Sequence, residues 1–230
     1  SFRHMHMFIM FCCFFFFSSR RRHTSLRRDW SSDVALPICW PGVRFALTFT
    51  DRLVDFVGEG YDLAVRLGRL EDSTLRARKI GEARRYLCAS PRYIERYGAP
   101  QHPKDLAGHH CLILRSHPGS NIWRFKDGGR IVEVRASGSF SANSGDALIN
   151  AAHNAMGLVV APEWLVGSLL AKGELVEVLA KHPPVPHRTP LYAVHPYQRF
   201  VPPKVKAFVD FLAQRYGKGY DWTQHKGDRM

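Results

Sequence analysis

The chain has 230 residues, 45% of them hydrophobic and 23% charged, with a formal net charge of +13. These are globular proportions, so disorder across the whole chain is excluded, and the length admits one large domain or two small ones with a sizeable core. The charge invites a polyanionic partner, but residues 1–40 hold +4 of it, and the remaining +9 is scattered over positions such as Arg66, Arg69, Arg76, Arg78, Lys79, Arg84 and Arg85, as on a solvated basic surface rather than in a nucleic-acid groove.

The chain opens with an apolar run of eleven residues, Met7 to Phe17, followed by Arg20, Arg21 and Arg22. A spanning helix needs about 20 apolar residues. A signal peptide places its positive charges ahead of the apolar run, and here they follow it. The Phe run is low in complexity, and "SSRRRHTSLRRDWSSDV" resembles translated sequencing-adapter DNA. Residues 1–40 are therefore expected to be a non-native or disordered prefix that neither spans a membrane nor grips a duplex.

From residue 41 the pattern becomes regular. "GVRFALTF", Gly42 to Phe49, alternates as a strand does. Thr50 or Asp51 caps a short helix through Val57, and "YDLAVRLG" is a second, more apolar strand. Together they predict a βαβ unit with parallel strands. "RRYLCAS" is a third strand, and "SPRYIERYG" reads as a helix with Ser90 as N-cap, Pro91 at its first position and Gly98 just past its end. "HPKDL" predicts a short turn or helix and "CLILRS" a strand. "IWRFKDGGRIVEVR" predicts a hairpin turning at Asp127-Gly128-Gly129. In "NSGDALINAAHNAMGLVVAP" a helix capped by Asn143 or Ser144 carries Leu148, Ala151, Ala152 and Ala155, Gly157 stops it, and a buried strand follows. "EWLVGSLLAKG" is a helix, "ELVEVL" and "PLYAVHP" are strands, and the last helix carries a Val205, Phe208, Val209, Leu212 stripe up to Gly217. Residues 218–230 are a polar tail. Alternating strands and helices make this an α/β protein with mixed sheets.

The chemistry in these elements is sparse. No dinucleotide fingerprint, phosphate-binding loop or nucleophile elbow is present, so no cofactor is expected. Asp51, Asp55 and Glu59 at spacings of four read as a solvated helix face. His109 and His110 are adjacent and point apart on a strand, while His182 and His187 sit in a Pro-rich loop with no carboxylate near them in sequence, so no metal site is expected. Cys88 and Cys111 lie inside apolar strings as buried free thiols do, and the absence of a CxxC or a paired framework fits a reducing cytoplasm. Helices that start directly after strands with small polar caps, at Thr50, Ser90 and Asn143-Ser144-Gly145, point free N–H groups toward the strand ends, where a carboxylate or another small anion fits.

Taken in order, "VRFALTFTDRLVDFVGEGYDLAVRLG", "RRYLCASPRYIERYG", "SANSGDAL", "GLVVAPEWLV", "GELVEVL" and "PPKVKAFVDFLAQRYG" resemble the effector-binding domain of LysR-type transcriptional regulators. The resemblance covers about Gly42 to Gly217. It implies a two-lobed, periplasmic-binding-protein-like (type 2) α/β domain spanning residues 41–217, with lobe I at 43–89 and 191–217 and lobe II at 90–190. It implies a small effector, a carboxylate or an aromatic, held between the lobes by Thr50, Asp51, Arg66, Leu67, Gly68, Asn143, Ser144, Gly145, Ala161, Pro162 and His195. Full-length members are cytoplasmic homodimers or homotetramers that contact DNA through an N-terminal winged helix-turn-helix, which these 230 residues do not show. The domain's first strand and helix also have no counterpart, so the resemblance implies an incomplete first lobe whose sheet is split. A solute-binding protein of related fold, exported, is the alternative reading. An enzyme on the same fold ranks last, because Lys79 and Lys126 have no evident catalytic partner.

Overall fold

A computed structural model describes residues 5–12, 43–50, 58–68, 75–115, 118–217 and 220. The chain divides into two compact units: residues 1–81, 190–220 and 225–230, and residues 82–189 with 221–224. The division falls after Gly81, within the single unbroken strand β4 (Leu75–Ala89), and again before Pro190.

In the first unit the strands are β1 (Met5–Cys12), β2 (Val43–Thr50), β3 (Leu63–Leu67) and most of β11 (Arg188–Pro196), in the order β2-β1-β3-β11. β1 pairs in parallel with β2 from Met5↔Val43 to Cys12↔Thr50, and with β3 from Ile9↔Leu63 to Cys12↔Arg66. The expected split in this sheet is therefore absent. Met5–Cys12, inside the expected prefix, takes the place between β2 and β3. Its sequence, MHMFIMFC, is close to the unbroken apolar run that strands with parallel partners on both edges carry. β11 runs antiparallel to β3 and has β4 on its other edge. The predicted helix at 51–57, the rest of the prefix and most of the polar tail lie outside the described residues.

The final helix, α4 (Pro203–Tyr216), covers this unit. The predicted stripe is buried: Val205, Phe208, Val209 and Leu212, joined by Tyr216. In the same unit Leu63, Ala64, Val65, Ile80, Ala193 and Val194 are buried as well. Lys204 Nζ reaches Asp62 at 2.8 Å, and Arg78 pairs with Asp210.

The second unit is built on the order β4-β9-β5-β8, where β5 is Cys111–Leu114, β8 is Ser141–Ala142 and β9 is Leu158–Pro162. β9, β5 and β8 are parallel, and β4 runs against β9. Both faces of this sheet are covered, and the alternation along each strand sorts the side chains between two clusters. Leu87, Cys111 and Leu158 pack with Trp123, Phe125 and Tyr93 on one face. Cys88, Leu112 and Val159 pack with Leu148, Ala152 and Leu165 on the other. The first face is covered by the hairpin β6 (Ile122–Asp127) and β7 (Arg130–Arg135), which turns at Gly128-Gly129 as predicted, with Gly128 at φ 56°. The second is covered by α2 (Gly145–His153) and α3 (Glu163–Ala171).

Local signals explain most of these boundaries. In α1 (Pro91–Tyr97), Ser90 Oγ accepts from the Tyr93 N–H at 3.3 Å, Pro91 opens the helix, and Gly98, at φ 77°, donates back to the Ile94 carbonyl. "HPKDL" forms a 3₁₀ turn, Pro103–Gly108. α2 ends earlier than its apolar spacing predicts: Ala155 sits at φ 61°, outside the helix. Gly157 serves a different purpose from the expected helix stop, since a Cβ there would stand 2.4 Å from the His110 carbonyl oxygen, beside the start of β9. The expected strand "ELVEVL" shrinks to β10 (Val176–Glu177), because Val178 and Leu179 turn into the core.

Two outcomes follow. Deleting residues 1–12 removes the strand paired to β2 and exposes edges of β2 and β3, so the chain should lose its cooperative unfolding transition and aggregate; circular-dichroism melts that match those of the full chain would show that β1 contributes nothing. Gly157→Ala should lower stability by about 1–3 kcal/mol, as overpacked sites do, read as a lower urea midpoint, while Gly108→Ala, where nothing lies within 4 Å, should change it little.

Candidate functional site

In the first unit the register gathers the expected residues. Cys12 pairs with Thr50 on one side and with Arg66 on the other. Thr50 and Arg66 therefore stand at the carboxyl ends of strands in one parallel trio, where ligands of open α/β sheets lie. Leu67 follows Arg66 and pairs with Leu191. Gly68, at φ 88°, ends the strand and donates its N–H to the Pro190 carbonyl at 3.0 Å. Arg66 is half-buried. Asp51 lies outside the described residues.

His195 does not join them. β11 is antiparallel to β3: Tyr192 faces Arg66, whereas Val194 faces Ala64. Three residues beyond Tyr192, His195 stands toward the amino end of β3, about 10 Å along the strand. Its Nδ1 lies 3.0 Å from the Pro196 carbonyl oxygen.

The second unit repeats the arrangement. Leu114 pairs with Ala142, and Leu112 with Val159, so the carboxyl ends of β8, β5 and β9 come together. Asn143, Ser144 and Gly145 follow β8, and Ala161 and Pro162 end β9. Ser144 is the N-cap of α2: its Oγ accepts from the Ala147 N–H at 3.3 Å. Gly145 is buried, and Asp146 places a carboxylate in the first turn. That charge offsets part of the helix dipole. What this end of α2 offers is directed hydrogen-bond donors more than net positive charge.

Several features were not visible in sequence. Arg85 reads there as one more surface cation, yet its side chain is half-buried, and that burial pushes its pKa down. It lines a cavity of about 260 Å³ in the second unit. The alternation of β4 was the available signal, since Arg85 lies on the same face as the fully buried Leu87. The loop histidine expected to lack a carboxylate has one: His182 Nδ1 lies 3.3 Å from Asp127 Oδ1, and His102 Nε2 lies 3.2 Å from Asp127 Oδ2. His102 Nδ1 accepts the Lys104 N–H, so the proton that faces Asp127 is on Nε2. The hairpin turn brings Asp127 there, and no sequence spacing announces it. Among the described residues no group of three or more His, Cys, Asp or Glu could hold a metal ion.

Two α/β units with polar residues at the carboxyl ends of their parallel strands make a domain of the periplasmic-binding-protein type 2 class. The family model of the LysR substrate binding domain matches residues 40–217, and the chain belongs to that family of transcriptional regulators. It is 32% identical over 189 residues to the HTH-type transcriptional regulator DmlR of Escherichia coli, covering 81% of this chain and 60% of DmlR. It is 33% identical over 180 residues to CrgA of Neisseria meningitidis, covering 77% of this chain and 59% of CrgA. The chain thus spans about 60% of the length of the curated relatives it matches. The solved regulatory domain of CrgA superposes with a TM-score of 0.77 at 25% identity, covering 94% of this chain and all of that one. Coverage of 94% exceeds what residues 40–230 alone supply, so the structural likeness includes chain ahead of residue 40, where β1 lies. Full-length AphB of Vibrio cholerae has the same fold, with a TM-score of 0.76 at 23% identity over 93% of this chain and 69% of AphB. These relatives are regulators, not enzymes, and no helix among the described residues is long and apolar enough to cross a membrane.

The cysteines yield a direct check. Burial pushes the Cys88 thiol up to about 12 and the Cys111 thiol up to about 11. Both are buried and free, with Cys88 Sγ 3.7 Å from the Val159 carbonyl oxygen. The thiolate is the reactive form. Iodoacetamide at pH 8 should therefore leave both unmodified in the folded chain and label both in urea, as peptide mass mapping reads. Because the folded state favours the neutral thiols, their contribution to stability is complete below the ordinary value of 9.0 and is lost as pH rises toward 11–12.

Proposed function

We propose that this domain binds a small effector carrying a carboxylate or another hydrogen-bonding head, through the residues its two units hold at the ends of their parallel strands. The observation that carries this reading is the repeated register: Thr50 and Arg66 end two strands of one parallel trio, and Asn143, Ser144, Ala161 and Pro162 follow or end strands of the other. Arg66 supplies positive charge, Gly68 and Gly145 keep the backbone accessible, and Ser144 with the first N–H groups of α2 supplies donors. His195 is left out of this set, because β11 carries it toward the other end of the sheet. Asp51 stays in it on the strength of the family resemblance. The full-length regulator, a homodimer or homotetramer in the cytoplasm, couples occupancy of this site to the grip of its helix-turn-helix on DNA. The domain by itself makes no sequence-specific contact with DNA.

Ser144 and Ser90 make a matched pair for the test. Each caps a helix in the second unit with a 3.3 Å bond. Replacing either by Ala should cost about 1 kcal/mol of stability. A thermal-shift screen of small carboxylates and aromatics on the whole chain should find compounds that raise Tm. Ser144→Ala should blunt that rise, and Ser90→Ala should leave it intact. Equal shifts in both variants would remove the end of α2 from the site.

A further inference from the structure

We propose that the second unit holds another ligand site, beside the strand-end residues above, in which Arg85 binds the carboxylate of a small, partly apolar acid.

The argument begins with the alternation of β4. Tyr86 sends its hydroxyl to Glu163 Oε1 at 3.2 Å, and the neighbouring Arg84 N–H donates to Glu163 Oε2 at 3.2 Å. Arg85 lies on the opposite face of the strand from Tyr86, on the side of Leu87, where the sheet is covered by the hairpin. Its backbone is tied down, with its N–H donating to the His187 carbonyl at 2.8 Å. Its guanidinium has no ion-pair or hydrogen-bond partner among the described residues. Buried charges in proteins are paired or hydrogen-bonded, because an unpaired one loses its hydration without replacement. Here burial is the cause that lowers the pKa of Arg85, and no neighbouring carboxylate raises it.

The space in front of this cation has the shape of an answer. The cavity measures about 260 Å³, near the lower end of small-molecule pockets. Its lining mixes apolar side chains, Leu114, Trp123 and Val160 among them, with polar groups that include Ser120, and no acidic residue lines it. The other cation on its rim, Arg124, is held by Glu133 at 2.6 Å on the exposed surface of the hairpin. An unpaired guanidinium beside Trp123, Leu114 and Val160 suits an anionic head on a small hydrocarbon or aryl body. The planar fork favours a carboxylate, which it engages through two parallel N–H bonds. The cavity lining includes none of Asn143, Ser144, Gly145, Ala161 and Pro162, and Arg85 borders that set through its pairing with Pro162.

The test uses the full chain and phenylacetate, with isosteric phenylacetamide as the neutral control and inorganic phosphate as the charge-only control. Phenylacetate should bind saturably and shift the Trp123 indole N–H resonance, and the amide and phosphate should bind at least tenfold more weakly. Arg85→Met should weaken phenylacetate at least tenfold while Ser144→Ala leaves that resonance shift unchanged. In the absence of ligand, Arg85→Met should keep or raise Tm, because it removes an uncompensated charge. Val160→Phe, which narrows the cavity and keeps the cation, should also abolish binding. The proposal is overturned if phenylacetamide binds as well as phenylacetate, if Arg85→Met binds like the parent or unfolds, or if Ser144→Ala alone abolishes the shift.

Discussion

A strand with parallel partners on both edges is the constraint on which the rest of this molecule depends. In the first unit that strand is β1, which ties β2 to β3 and so sets Thr50 and Arg66 level through Cys12. In the second it is β5, which ties β9 to β8. Register in such a strand is strict, since a slip of one residue would exchange its two faces. Because the ladders are strict, polar groups at strand ends are placed as accurately as the buried residues behind them. A binding domain gains from this: the groups that meet a ligand are held by the core and need no organisation of their own.

The second unit shows how fully its interior is apolar, and where it departs from that rule. Its sheet has Leu87 and Cys88 on opposite faces, each inside a packed cluster, and Leu158 and Val159 repeat the division. Ser90 is buried with its hydroxyl in a helix cap, and the Tyr93 hydroxyl accepts the His110 N–H at 3.0 Å. These polar groups are held by local bonds, as burial demands. His187 Nδ1 is buried without a hydrogen-bond partner, and the half-buried Arg85 has no ion pair. An unpaired cation beside a cavity that no carboxylate lines is a feature of binding more than of folding.

Much of this architecture was readable before any coordinates. The Ser90 cap, Pro91 and Gly98 bound α1 where the sequence placed it, the two glycines turn the hairpin, and the Val205-Phe208-Val209-Leu212 stripe is the buried face of α4. These are local rules: a cap, a φ preference, a period of 3.6. The misreadings were all non-local. "MHMFIMFC" carries no turn or cap to mark it, and only the open edges of β2 and β3 make it a strand. The upstream half of β4 is rich in basic residues and is held extended as part of one long strand. His195 follows an apolar strand as a cleft residue should, but the antiparallel direction of β11 moves it away. Asp127 reaches two histidines, 25 residues before it and 55 after it, through a turn that could not be docked from sequence alone.

The sequence by itself determined the α/β class, the family, the order of most elements and the residues that end their strands. Those properties follow from periodicity, caps and motifs that act within a few residues of each other. Only the tertiary structure decided which strand stands between β2 and β3, where along β4 the units divide, and which arginine lines a cavity. Each of these depends on what lies across a sheet or beneath a hairpin. Arg84 and Arg85 are identical letters side by side, and the pleat turns their side chains to opposite faces of β4, leaving one exposed and the other lining a cavity.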